Sequence, residues 1–337
     1  MTDSESGNTP AAESVEKRGR LHNVLVGILL GIGALLALLT AVGYLGRLWW
    51  RFDLVAHFRL QYLVCLLGAA VGLAALRRFR LAGVCLLVSV ANLAAVAPLY
   101  LGSPAALDDV PVEERVRLRA LSLNLHEANR NHEAVRALVR DEQPDLLLLM
   151  EYTERWFEDL VDLTDIYPHV IARPQGGPFG IALFSAHPFE SADIEFIGEE
   201  PHPTVVARIT IGDAPLTVIG THPRPPLGAE ASRLRNEQLA DLADRAGQIA
   251  PPLLLLGDLN ITRFSPYFRR LLAHSSLRDS AVGFGYQPTW PTYAPPLLIP
   301  IDHALVSEGV GILDRRVGPH VGSDHYPLII DFELAPR

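Results

Sequence analysis

Asn124, Glu151, His222, Asp258, Asn260, Asp302, Asp324 and His325 are the residues of this chain whose types and placement could do chemistry. Five of them close short runs of Leu, Ile and Val. RLRALSLN ends at Asn124, DLLLLME at Glu151, LTVIGTH at His222, and LLLLGDLN at Asp258 and Asn260. Asp302 sits in IDHALVS, and Asp324 and His325 lie in GSDHYPL, ahead of the last apolar run. These are oxygen donors, amides and imidazoles; the two cysteines, Cys65 and Cys85, fall far upstream, so neither a disulfide framework nor a thiolate metal site can form here. Asp302 and His325 can form a carboxylate–imidazole pair if their strands are adjacent, which would fix the ring and stabilise the imidazolium. Each residue alone has an ordinary reading. Asn124 and Asp258 suit turns, Glu151 suits the first turn of a helix, and His222 and Asp302 suit loops. Recurrence at the same place, the end of a buried run, is the signal.

Continuous apolar runs of this length suit strands buried on both faces. Between them the pattern predicts helices over 132–142, 153–163, 230–245 and 266–272, the last with Ser265 as N-cap and Pro266 in the first turn. Strands alternating with helices give an α/β class. In open α/β sheets ligands bind at the carboxyl ends of the strands, which is where these polar residues stand.

The apolar residues, 49% of 337, crowd into the first third of the chain. Three stretches, 21–46, 54–76 and 81–102, are long enough to cross a bilayer core, which takes about 20 residues as a helix. The second is weaker, with His57, Arg59 and Gln61 near its start. A cleavable signal peptide has an apolar region of only about 7–15 residues, so three runs in succession point to a multi-pass anchor. A buried helical bundle, or one span with two interfacial helices, remains open. Lys17, Arg18, Arg20, Arg77, Arg78 and Arg80 flank one side of the spans and Arg47, Arg51 and Arg59 the other, beside Trp49 and Trp50. That bias puts the N-terminus in the cytoplasm and, with three spans, the C-terminal domain outside it. The division expected is a disordered tail over 1–20, an anchor over 21–102, a linker over 103–116 and a folded domain over 117–337. From Pro104 onward 20 Arg stand against 33 Asp and Glu, a balance of −13. A protein that binds nucleic acid non-specifically shows the reverse.

In this order, SLNL, LLLLME, GTHP, GDLN, IDHALVS and GSDHYPL make residues 117–334 similar to the endonuclease/exonuclease/phosphatase superfamily. The resemblance implies a four-layer sandwich of two mixed β-sheets flanked by helices, preceded here by about three transmembrane helices. It implies Glu151, Asn124 and Asp324 around a divalent cation, Mg²⁺ with Mn²⁺ as the alternative, since oxygen donors suit a hard ion. Asp258 would orient or deprotonate water, Asn260 would bond a phosphoryl oxygen, and His325, backed by Asp302, would face His222 across the phosphate. Many nucleases of the superfamily carry an acid two residues after the motif Asn; here that position is His126, a nitrogen ligand that fits Mn²⁺ better. Arg263 and Trp290 resemble positions beside the substrate groove, with a packing role for Trp290 equally open. The activity implied is hydrolysis of a phosphoester, with a diester such as a lipid head group as the expected substrate. An extracellular nuclease and a non-catalytic membrane-bound binding module are the alternatives. Substrate choice would lie in loops 173–180, 224–230 and 283–298.

Overall fold

The structure, a computed structural model, describes residues 10–199 and 202–336. Nine helices and twelve strands follow in chain order among them: α1 (Pro10–Gly43), α2 (Trp50–Ala56), α3 (Arg59–Ala75), α4 (Phe79–Val96), α5 (Pro98–Leu101), β1 (Val116–Asn124), α6 (His132–Glu142), β2 (Leu146–Met150), α7 (Glu154–Asp159), β3 (His169–Arg173), β4 (Ile181–Ser185), β5 (Phe189–Phe196), β6 (Pro203–Ile211), β7 (Ala214–Gly220), α8 (Ala229–Gly247), β8 (Leu253–Asp258), α9 (Pro266–Ser275), β9 (Arg278–Asp279), β10 (Asp302–Val306), β11 (Val310–Val317) and β12 (Leu328–Leu334).

The strands form two six-stranded sheets, ordered β11-β12-β1-β2-β4-β3 and β5-β6-β7-β8-β10-β9. Each contains one parallel pair, β1 with β2 and β7 with β8, joined by the crossover helices α6 and α8. Every other pairing is antiparallel, so both sheets are mixed. Side chains alternate between the faces of a strand, and the apolar runs divide accordingly. Leu118, Ala120, Leu146, Leu148, Leu254, Leu256 and Ala304 fill the space between the sheets. Leu121, Leu123, Leu147 and Leu149 face α6 and α7, and Leu253 and Leu255 face α8 and α9. Both faces of each central strand are covered, which is why these strands read as unbroken runs rather than alternating ones. The four layers are helices, sheet, sheet and helices.

The helix over 132–142 lies where the pattern put it, capped by the Asn131 side chain. The helix expected over 153–163 stops at Asp159 and continues as a 3₁₀ turn, Val161–Asp165. The helix expected over 266–272 runs on to Ser275, with Ser265 accepting the Tyr267 N–H as N-cap.

Glu16–Gly43 and Phe79–Val96 are long and apolar enough to cross a membrane. The second apolar run is not one straight helix: α2 and α3 meet at 63°. Its polar residues explain the break, because they are fastened elsewhere. The Arg59 guanidinium donates to the Thr40 carbonyl at 2.9 Å and to Asn92 Oδ1 at 3.3 Å, tying α1, α3 and α4 together. His57 Nδ1 meets Thr262 Oγ1 at 2.9 Å, and Gln61 donates to the Leu298 carbonyl at 2.8 Å. Two further expectations change. Residues 10–20, expected in a disordered tail, extend α1, a segment begun by a proline and rich in Ala, Glu, Lys and Arg; residues 1–9 lie outside the described residues. The linker over 103–116 is docked, with Ala105 and Leu107 buried and the Ala105 carbonyl accepting the Ile312 N–H at 2.8 Å.

The N-terminal helices and the sandwich therefore form one packed unit, and its centre is a buried ion pair. Asp53 of α2 accepts from Arg235 of α8 at 2.7 Å and from the Ser265 hydroxyl at 2.6 Å. Both ionic side chains are 1% exposed. Arg235 also donates to the Asn260 carbonyl at 2.8 Å. Removing one partner of a buried pair strands the other charge, at a cost of about 3–5 kcal/mol. Asp53→Ala should destabilise the full chain in detergent by about that much in chemical denaturation. A change below about 1 kcal/mol, the worth of an exposed pair, would contradict the structural importance of this junction.

Candidate active site

Strand parity brings the chemistry-bearing residues together. Asn124, Asp258 and Asp302 continue the alternation of Leu118 and Ala120, Leu254 and Leu256, and Ala304 and Val306, so all three face the gap between the sheets. Asn124 Nδ2 accordingly donates to Asp258 Oδ2 at 3.2 Å, joining one sheet to the other. Asp302 stands directly opposite Asp258 in the antiparallel β8–β10 register. Two carboxylates at 1% and 0% exposure would repel strongly without a cation between them. His325 supplies it: Nδ1 lies 2.8 Å from Asp302 Oδ2 and Nε2 lies 3.6 Å from Asp258 Oδ2. His222 Nε2 approaches the same Asp258 oxygen at 3.4 Å.

Local backbone geometry sets these positions. Gly257, at φ 149°, is required: a Cβ there would lie 1.8 Å from the Thr221 carbonyl oxygen. This close approach of β8 to the end of β7 puts Asp258 beside His222. The Asp258 N–H points to Met150 Sδ at 3.1 Å, and the Asn260 N–H donates to Asp258 Oδ1 at 2.8 Å. Glu151, Asn260 and His126 all adopt left-handed backbone, at φ 54°, 51° and 60°. Such conformations in non-glycine residues cost energy and concentrate at functional sites. Ser323 holds the last loop in place, donating to the Asn124 carbonyl at 2.7 Å and accepting the His325 N–H at 3.0 Å.

A second group lies at the rim. Glu151 Oε2 accepts the Glu127 N–H at 2.7 Å, Asn124 Oδ1 accepts the His126 N–H at 3.0 Å, and Asp324 Oδ2 accepts from Trp290 Nε1 at 3.0 Å. The His126 ring lies between the two acids, 3.4 Å from Asp324 Oδ1 and 3.8 Å from Glu151 Oε2. Asn260 Nδ2 donates one hydrogen to the Pro223 carbonyl at 3.0 Å and has a second to offer. Arg263, expected beside the substrate, has its guanidinium paired with buried Asp279 at 3.2 Å. Sequence reading passed over Met150, Glu127 and Phe179, whose ring centroid lies 6.0 Å from that of His222. None carries a sequence signal of its own; each is placed by the neighbour it touches.

The charges follow from these contacts. Burial alone would lower the His325 pKa, but Asp302 and then Asp258 outweigh it, and the ring is pushed up to about 10. Burial opposes the charge on His222 also, and the hydrogen bond and charge of Asp258 raise its pKa. For Asp258 burial favours the neutral acid, yet His325, His222 and the Asn260 N–H hold it below the ordinary carboxylate range. The arrangement is a buried carboxylate kept ionised between imidazoles, able to hold a nucleophilic water and to donate hydrogen bonds to an anion.

Two sets of atoms could hold a metal ion. The ligand atoms of Asp258, Asp302 and His325 lie within 4.8 Å of one another. In this set both His325 nitrogens already face carboxylates. At the rim, the carboxylates of Glu151 and Asp324 with the Asn124 amide oxygen make an oxygen-donor set, and Asp324 Oδ1 is buried without a hydrogen-bond partner. That orphaned oxygen fits a hard divalent cation.

A sandwich of two mixed six-stranded sheets flanked by helices is the fold that the sequence motifs led us to expect. The chain belongs to the endonuclease/exonuclease/phosphatase family, whose model matches residues 121–325. Among solved structures, truncated TDP2 from Caenorhabditis elegans superposes with a TM-score of 0.53 at 17% identity, covering 65% of this chain and 98% of that one. The 3' phosphatase NExo from Neisseria, bound to a product DNA hairpin, superposes at 0.53 and 20% identity, covering 64% and 99%. Danio rerio TDP2 complexed with a single-strand DNA product gives 0.53 at 16% identity, covering 64% and 98%. At these identities the likeness is one of fold. No curated protein matches the chain.

The raised pKa of His325 has a sign that can be tested. A folded value of about 10 against 6.5 means the imidazolium stabilises the fold fully below about pH 6.5. That contribution is lost as pH rises toward about 10. Histidine-selective NMR of the full chain should show this ring protonated through neutral pH, and His325→Gln should flatten the decline in stability above about pH 6.5. A His325 ring that deprotonates near 6.5 would contradict the pairing.

Proposed function

We propose that this chain is a divalent-metal-dependent phosphoesterase, cleaving a phosphodiester outside the cytoplasm while its N-terminal helices hold it in the cell membrane. The observation that carries this reading is buried Asp258, with two imidazoles 3.4 and 3.6 Å from one of its oxygens and Asp302 backing the second ring.

Asp258 orients a water and accepts its proton as the new oxygen–phosphorus bond forms and the leaving oxygen departs with the bonding pair. His325 and His222 donate hydrogen bonds to the non-bridging oxygens, which gain charge as the reaction proceeds. Asp302 keeps the His325 ring oriented and charged. Asn260 offers its remaining amide hydrogen to a phosphoryl oxygen. Glu151, Asp324 and Asn124 are the residues that would hold Mg²⁺, with Mn²⁺ favoured if the His126 nitrogen takes part. When bound, the cation would neutralise charge on the phosphate and the leaving oxygen. Trp290, whose indole N–H donates to Asp324, would border the substrate.

The acid excess of the domain, 20 Arg against 33 Asp and Glu, favours a small ester or a lipid head group over a long polyanion. A nuclease is the second reading, favoured by the DNA present in two of the similar structures. Asp258→Ala and His325→Ala should each reduce turnover of a phosphodiester by on the order of 10²–10³ without unfolding the chain. Near-full activity in either variant would contradict the roles given. Added salt separates the substrates: cleavage of nucleic acid should weaken steeply, and cleavage of a small ester should barely respond.

A further inference from the structure

Arg47 follows α1 by four residues, immediately beyond the apolar helix that ends at Gly43. The loop that carries it is pressed onto the start of α9; a Cβ on Gly46 would sit 3.3 Å from Pro266 Cδ. Two cavities of about 530 and 510 Å³ adjoin here, and Arg47, Tyr267 and Arg270 line both. Arg269 extends the first, and Trp49 and Trp50 border the second. Together they form one groove, with Tyr267 in the lining of both parts.

The arginines in this groove differ from most others in the domain. Arg115, Arg119, Arg136, Arg245 and Arg316 are paired with carboxylates. Among the described residues no carboxylate lies within 4 Å of the Arg47, Arg269 or Arg270 guanidinium, and all three side chains are on exposed residues. Glu237 also lines the groove, but its carboxylate is taken by Arg233. In a domain with a large excess of acids, cations gathered around one groove without counter-charges call for an anion. The neighbourhood indicates which. Trp49 and Trp50 are aromatic residues of the kind that sit at the headgroup level, and the Arg51 guanidinium lies 5.0 and 5.2 Å from their ring centroids. A guanidinium matches phosphate in two-point geometry, so arginines at headgroup level beside membrane helices suit an anionic head group.

We propose that this groove binds the phosphate of an anionic phospholipid head group, with Arg47 and Arg270 as its principal ligands and Arg269 at its edge. The proposal rests on the membrane-anchoring part of the functional reading, and it concerns residues separate from the catalytic set. Occupancy would hold α9 and the loop after Asn260 at a fixed height above the bilayer.

The test uses the full chain in a neutral detergent, titrated calorimetrically with short-chain phosphatidylglycerol, phosphatidylcholine, inorganic phosphate and a single-stranded oligonucleotide. Phosphatidylglycerol should bind at one site per chain at least tenfold tighter than phosphatidylcholine. Losing a basic residue near a lipid surface costs about fivefold in affinity, so the Arg47→Gln/Arg270→Gln double variant should weaken it about 25-fold. The Arg47→Lys/Arg270→Lys variant should retain most of the preference, and Arg140→Gln on α6 should retain all of it. Equal binding of the two lipids, or an unchanged double Gln variant, would overturn the proposal. Inorganic phosphate binding as tightly as the lipid would overturn the lipid as the source of the phosphate. Oligonucleotide binding that is tighter than lipid and lost in the double Gln variant would assign the groove to nucleic acid. Binding needs no turnover, so an inert enzyme has no bearing on it. Release of the chain from membranes by alkaline carbonate would instead remove the anchoring on which it rests.

Discussion

Asp258 and Asp302 face one another on antiparallel strands, almost without access to water. Carboxylates so placed would ordinarily take up a proton. Here His325 lies between them and His222 approaches from the side, and the Asn124 amide and the Asn260 N–H supply the remaining donors. Most of the other features around the site serve this requirement. β1 must bring Asn124 across from the other sheet. Gly257 must let β8 close on Thr221, and Ser323 must hold the loop that carries His325. The strained backbone at Glu151 and Asn260 is tolerated because the surrounding contacts determine it.

The loop after Asp258 has a second dependence, on the N-terminal helices. Asn260 is gripped from behind by Arg235, whose charge is balanced by Asp53 of α2. Thr262 and Ser265, in the same loop, are held by His57 and Asp53. Leu298, at the end of the segment carrying Trp290, is held by Gln61. The N-terminal helices are thus part of the support of the site, and a fragment beginning after residue 103 would expose Arg235 and leave this loop unsupported. This junction also fixes where the site sits relative to the end of α1.

The central strands and the polar residues at their ends were legible in the sequence for one physical reason, whereas the two-sheet sandwich followed only from the family resemblance. Strands covered on both faces need unbroken apolar runs, so the first polar residue at each end stands out, and parity then assigns Asn124, Asp258 and Asp302 to the same gap. The junction was not legible, because its partners are far apart in sequence. His57 and Gln61 read only as polar residues weakening an apolar run, and Asp53 and Arg235 were not singled out at all. A faint signal existed: Ser232, Arg235, Leu239 and Leu242 share one helical face, and that face is buried. The contact between Arg263 and Asp279 also joins residues that the sequence does not mark as partners. The bend between α2 and α3 likewise depends on contacts that hydropathy does not encode.

The most direct test of the central claim is turnover of a chromogenic phosphodiester by the full chain in detergent, measured in EDTA and again after adding Mg²⁺ or Mn²⁺ in excess. The account predicts that EDTA abolishes turnover and that either ion restores it. Turnover that persists in EDTA, or a folded chain that stays inert on phosphodiesters, phosphomonoesters, phospholipid vesicles and DNA with both ions, would contradict it.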